Sequence, residues 1–199
     1  MCRDNAKQIA GTPPWTWVLV ALCCGVALAR SALVHLRVAG QSMAPTLVHD
    51  QRLWVNRWAY GIWSWTRSTT ASAPRRGDIV VFRPQDESSQ RVIKRVVAVP
   101  GEVLEVDRHR VLLDGDCLEE PYLPPDTVTT PPMRLSVAPD CFFVMGDHRE
   151  CSHDSRDYGP VPRSRIIGRA FLRYWPIEQA EWLGHRPRGN RLEKIGPRR

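Results

Sequence analysis

Residues 91–115 read RVIKRVVAVPGEVLEVDRHRVLLDG, and they decide the fold. Three short runs rich in Val, Ile and Leu (91–99, 102–107 and 110–113) are cut by turn signals at Pro100-Gly101, Asp107-Arg108-His109 and Asp114-Gly115. Runs this short, bounded this way, predict antiparallel strands joined by hairpins. The same chemistry predicts strands at 52–58, 78–83, 141–145 and 166–175. Seventeen prolines disfavour long helices in the body, and no amphipathic helix longer than a turn or two is expected after residue 36. The expected class is mostly β, a sheet that curls or closes into a barrel. Residues 119–132 hold five prolines and read as a surface loop, and 66–77 as a polar loop.

At 199 residues the chain is long enough for one ordinary domain with an appendage. The net charge of +7 is concentrated in the last 16 residues, which carry +5. The body is nearly neutral. No nucleic-acid partner is expected, because no reading motif accompanies the charge. Residues 184–199 read as a solvated basic tail, with contact to anionic lipid as the sharper alternative.

Trp15 to Ala29 is a continuous apolar run after a short head, 1–14, that carries Arg3 and Lys7. Extended past Arg30 to residue 35, it reaches spanning length. A cleaved signal peptide is the rival reading, with Ala27-Leu28-Ala29 as its small-x-small site, and a buried core helix is a third. Trp54, Trp58, Trp63 and Trp65 crowd into twelve residues. They read either as a packed aromatic corner or as an apolar shelf at a bilayer surface. Among Cys117, Cys141 and Cys151 at most one bridge can form. His148, Cys151 and His153 match no zinc spacing, so no metal site is expected.

Three segments carry candidate chemistry. Ser42 lies in Gly40-Gln41-Ser42-Met43-Ala44-Pro45-Thr46-Leu47, a turn that can expose a nucleophile. Lys94 shares a strand face with Val92 and Val96. If that face is buried, its ammonium loses hydration and its pKa falls, which suits a general base. Residues 146–156, GDHRECSHDSR, form a polar loop that follows a strand. A Ser-His-Asp relay through His148 and Asp147 is disfavoured, because adjacent residues point apart. Nothing in the sequence argues for Cys151 as a nucleophile.

Read together, these segments resemble the bacterial-type signal peptidases of type I, membrane-bound serine proteases. Residues 40–47, the box Arg76 to Phe82, the box Lys94 to Glu102, Glu120-Pro121-Tyr122-Leu123 and the loop 146–156 match the family's motifs in order. The resemblance implies Ser42 as nucleophile, Lys94 as general base and Ser152 as the group that orients the lysine amine. It implies Asp147, Arg149, Asp154 and Arg156 as supports of the loop, and the Ser42 N–H as an oxyanion donor. Some members place a hydroxyl two residues before the nucleophile as second donor. Here that position is Gly40, so water or another backbone group has to serve. His148 stands where the family has Asn.

The resemblance also implies cleavage of secretory precursors after Ala-x-Ala, without metal or organic cofactor. The bilayer is the other expected partner. The expected layout is an uncleaved anchor over 15–35, a catalytic domain over 36–183 on the extracytoplasmic side of a plasma or thylakoid membrane, and a monomer. A self-cleaving Ser-Lys repressor-type protein and an inactive anchored peptide-binding protein of the same fold are the alternatives.

Overall fold

A computed structural model describes residues 14–60, 73–84, 90–183 and 192–193. The chain divides into two units, one up to Ala32 and one from Leu33 onward. The first contains helix α1 (Pro14–Ala32), long and apolar enough to cross a membrane. Its exposed side chains include Trp15, Trp17, Val18 and Leu22. The helix ends three residues before the expected end of the anchor, and Leu33–Arg37 form strand β1 instead. No Gly or Pro marks that boundary in the sequence.

The second unit is antiparallel β. After β1 come β2 (Arg52–Asn56), β3 (Ile79–Phe82), β4 (Val92–Ala98), β5 (Val103–Asp107), β6 (Arg110–Leu113) and β7 (Asp116–Leu118). Then follow β8 (Met133–Ser136), β9 (Cys141–Met145), β10 (Val161–Pro162), β11 (Ile166–Trp175), β12 (Glu181–Trp182) and β13 (Leu192–Glu193). A one-turn helix, α2 (Ser155–Tyr158), lies between β9 and β10. The larger sheet runs β1-β2-β11-β3-β4-β9-β10, with β12 beside β11. The smaller runs β13-β7-β6-β5-β8. The mostly β class holds, and each of the seven expected strands forms, that over 52–58 ending at Asn56.

The central strands look continuously apolar because both their faces are covered. Ile79 and Val81 of β3 pack with Met43, Leu47, Leu53 and Val55, while Val80 and Phe82 pack with Val96, Phe142 and Val144. Phe143 and Met145 of β9 face a third cluster, built on Leu104, Val106, Val111 and Leu113 of the smaller sheet. β4 and β9 thus carry chain from one core to another, and the polar residues at their ends are fixed on both sides. Gly115 and Asp114 both take positive φ in the β6–β7 turn, as the Asp-Gly signal requires.

Six strands have no counterpart in the expected set: β1, β7, β8, β10, β12 and β13. β13 places part of the basic tail against β7, through Leu192 opposite Leu118. Cys117, Cys141 and Cys151 are not bridged to one another. Trp54 is half-buried and stacks on Tyr174 and His35, whereas Trp63 and Trp65 lie outside the described residues. Among the described residues of the second unit the most exposed large apolar side chains are Trp175, Ile177 and Trp182.

Phe143 is fully buried where the two sheets share a core. Phe143→Ala is expected to lower unfolding free energy by about 3–5 kcal/mol. Denaturant unfolding in detergent measures this, and a change under about 1 kcal/mol would contradict the packing.

Candidate active site

The turn that carries Ser42 is anchored from below. Met43 and Leu47 are buried at i and i+4, and the Leu47 N–H donates to the Met43 carbonyl at 2.8 Å. Thr46 is held from two sides: Arg173 Nη1 donates to its carbonyl at 2.9 Å and Arg95 Nη2 approaches its hydroxyl at 3.4 Å. The motif's apolar and hydroxyl positions therefore fix the turn, and Ser42 stays partly exposed above it. The Ser42 N–H makes no hydrogen bond among the described residues.

Gly146 is the point where the segments meet. A Cβ on it would lie 2.2 Å from Ser152 Oγ and 2.3 Å from the Ser42 carbonyl oxygen. The next turn of the loop is tied to the same carbonyl, since the His148 N–H donates to it at 3.1 Å. Arg95 pairs with Met145 across β4 and β9, so the register carried one residue further sets Lys94 opposite Gly146. Ser42, Lys94 and Ser152 thus gather around one residue that has no room for a side chain.

Lys94 is 3% exposed. Its strand neighbours Val92 and Val96 pack in one cluster with Val80 and Phe82, the face that alternation assigns it. Burial lowers its pKa from 10.5 to about 8; Asp154, Asp147 and Asp157 oppose that shift and Arg156 adds to it. The nearby carboxylates cannot reverse it because each of the two closest is matched by an arginine. Asp147 accepts from Arg95 Nε at 2.9 Å and Nη2 at 2.6 Å. Asp154 accepts from Arg156 Nε and Nη2, both at 2.8 Å, and from the Gly146 N–H at 2.9 Å. Burial alone would raise the Asp154 carboxyl, but these donors outweigh it and hold it below the usual carboxylate range.

The loop closes on itself through a ring of contacts. Arg149, 2% exposed, donates Nε to the Gly146 carbonyl at 3.1 Å and pairs with Glu120, while its Nη1 reaches Thr129. The Tyr122 hydroxyl donates to Glu120, and its ring lies 3.9 Å from the Arg95 guanidinium carbon. Burial, reinforced by Glu120, keeps the Tyr122 phenol protonated and a donor. Arg156 Nη1 and Nη2 bond the carbonyls of Thr130 and Arg149 at 2.7 Å each. The Arg76 to Phe82 box adds a brace: the Gly77 carbonyl accepts from Arg95 Nη1 at 3.1 Å, and Arg76 pairs with Glu102.

Ser152 Oγ is buried without a hydrogen-bond partner of good geometry, though it lies near enough to Asp154 to help hold that carboxyl down. No hydrogen bond joins it to the Lys94 amine. No Ser-His-Asp relay exists here: both Asp147 oxygens are held by Arg95, and His148 Nδ1 has no partner. At Gly40, two residues before Ser42, the N–H donates to His49 Nδ1 at 3.1 Å. Among the described residues no three His, Cys, Asp or Glu side chains gather in a way that could hold a metal ion.

The family model for signal peptidase, peptidase S26, matches residues 14–175. The chain belongs to this family. It is 40% identical over 178 residues to a signal peptidase I of Leptolyngbya laminosa, covering 84% of this chain and 80% of the relative. It is 33% identical to a signal peptidase I of Bacillus caldolyticus, covering 83% and 91%. A crystal structure of a signal peptidase I from Enterococcus faecalis aligns at 30% identity and a TM-score of 0.43, covering 49% of this chain and 96% of that one.

As a member of the signal peptidase family, the chain shows why the motif around its lysine needs partners far away in sequence. Arg95, Glu120, Tyr122, Thr129 and His49 were not among the expected site residues. One signal was available: an arginine next to Lys94 in a doubly buried strand has to find a carboxylate.

Two variants test this geometry. Gly146→Ala is expected to cost at least about 100-fold in activity, because the Ser42 carbonyl is backbone and cannot step aside cheaply. Lys94 binds its proton more weakly folded than unfolded, so its burial penalty is complete below pH 8 and vanishes by pH 10.5. Relative to Lys94→Met, wild-type stability should therefore rise by about 3 kcal/mol across that window. Parallel stability curves for the two proteins would contradict the burial.

Proposed function

We propose that this chain is a signal peptidase I, an endopeptidase that removes N-terminal signal peptides from secretory precursors, with Ser42 as nucleophile and Lys94 as general base. The observation that carries the reading is Lys94 buried and lowered to about pH 8 opposite Gly146, which itself touches Ser42 and Ser152. Family membership and relatives named signal peptidase I give the substrate class.

The steps follow from the groups present. Neutral Lys94 Nζ, which Ser152 Oγ would orient on closing to hydrogen-bond distance, takes the Ser42 hydroxyl proton as Oγ attacks the scissile carbonyl carbon. The carbonyl oxygen gains the negative charge and meets the unused Ser42 N–H. The tetrahedral adduct collapses, the C–N bond breaks, and Lys94 gives its proton to the departing amine. Water, deprotonated by Lys94, then attacks the Ser42 ester and releases the signal peptide with a free carboxylate. Asp147, Arg149, Asp154 and Arg156 touch no substrate in this scheme; they position the loop. The resemblance gives small side chains, Ala above all, at the first and third residues before the cut.

The apolar helix Pro14–Ala32 supports membrane anchoring in a single pass. We place the β unit on the extracytoplasmic side of a plasma or equivalent internal membrane, where precursors emerge.

The test is cleavage of a full-length secretory precursor in detergent by wild type, Ser42→Ala and Lys94→Ala. Wild type should cut after Ala-x-Ala, and each variant should lose at least about 10³-fold. The wild-type kcat/KM should rise with pH and level off above about 8, as Lys94 loses its proton. Cleavage that survives Lys94→Ala would contradict the dyad. A precursor bound but uncut by all three would make the chain a binding protein.

A further inference from the structure

The turn that carries Ser42 has a tether that the dyad does not use. Gly40 sits at φ +90°, a left-handed conformation that a side-chain-bearing residue rarely takes. Its N–H donates to His49 Nδ1 at 3.1 Å. The other ring nitrogen, Nε2, lies 2.9 Å from Asp50 Oδ1. Asp50 is itself held by Arg37 of β1, through Nε at 3.0 Å and Nη2 at 2.7 Å. The backbone joins in, since the Asp50 N–H donates to the Val38 carbonyl at 3.0 Å and the Val38 N–H to the Gln51 carbonyl at 2.8 Å.

This arrangement fixes the state of the imidazole. An N–H donor facing Nδ1 requires a lone pair there, so the neutral ring carries its proton on Nε2 and gives it to Asp50. The line runs Arg37, Asp50, His49, Gly40, and ends two residues before Ser42. Gly40 has no side chain with which to hold the turn, and the imidazole supplies that hold from outside.

We infer that His49 is a positioning residue for the nucleophile: as a neutral Nε2–H imidazole it pins the Gly40 amide and so sets where Ser42 and its N–H stand. The inference rests on the reading of Ser42 as nucleophile. A second proton on the ring would occupy Nδ1 and set it against the Gly40 N–H, freeing the turn. The charged groups facing the ring are Asp50 from its own loop and Arg37 from β1. Both hold the Nε2 side and neither replaces the lost acceptor. The tether is exposed, so its effect is modest; a 3 Å hydrogen bond to solvent-accessible backbone changes a rate severalfold, not a thousandfold.

The test uses the full chain in detergent, cleaving a secretory precursor. His49→Asn keeps an acceptor where Nδ1 stands, His49→Gln moves the polar group to the Nε2 side, and His49→Ala removes both. At pH 8.5 His49→Asn should stay within about twofold of wild type, while His49→Gln and His49→Ala should lose about fivefold in kcat with KM little changed. Equal activity of all four proteins, or a His49→Asn as impaired as His49→Ala, would each overturn the assignment. Activity retained by Ser42→Ala in the same assay would instead remove the nucleophile on which it rests.

Discussion

A buried lysine gives up its proton near pH 8 only if the carboxylates around it do not hold the charge in place. That constraint organises this site. Three acids lie within the loop's network: Asp147, Asp154 and Glu120. Each is matched by an arginine: Arg95, Arg156 and Arg149. Desolvation is the largest influence on Lys94; Asp154, Asp147 and Asp157 oppose it, and Arg156 adds to it. An acid left without its arginine would pull the proton back onto the amine. The arginines cannot titrate in its place.

The pairs do mechanical work as well. Removing one partner of a buried pair costs about 3–5 kcal/mol, because it strands the other charge. The ring from Arg95 through Asp147, Gly146, Arg149, Glu120 and Tyr122 back to Arg95 therefore resists being opened at any point. It crosses between strand, loop and the proline-rich segment, which gives those irregular residues a defined path. Gly146 marks where this frame presses on the nucleophile turn. The Ser42 N–H and Lys94, the proposed oxyanion donor and base, thus depend on the same packing.

Much of this was legible in the sequence, for reasons that differ by element. β3 and β9 announced themselves because strands buried on both faces are continuous apolar runs, and β4 and β11 through their β-branched and aromatic residues. β1 was hidden because its Leu33–Val34 start continues the apolar helix without a breaker. β8, β10, β12 and β13 are two to four residues long, polar or proline-containing, and exist only because a neighbouring edge receives them. Ser42, Lys94 and Ser152 could be named from their motifs. The cation–π contact of Arg95 on Tyr122 and the Glu120–Arg149 pair span 27 and 29 residues of chain, and no local pattern predicts which arginine meets which acid. His49 was silent for the same reason, since its partner Gly40, and Arg37, which holds Asp50, are brought near it by the return of β2 alongside β1.

The most direct test of the account is the ionisation of Lys94 itself. The chain has three lysines, Lys7, Lys94 and Lys194, so a protein labelled at the lysine side-chain carbons gives few signals, and Lys94→Arg assigns the one in question. A titration followed by NMR in detergent should show that signal with a midpoint near pH 8. A Lys94 midpoint above 10 would mean that the amine is charged at working pH, and the general-base assignment would fail.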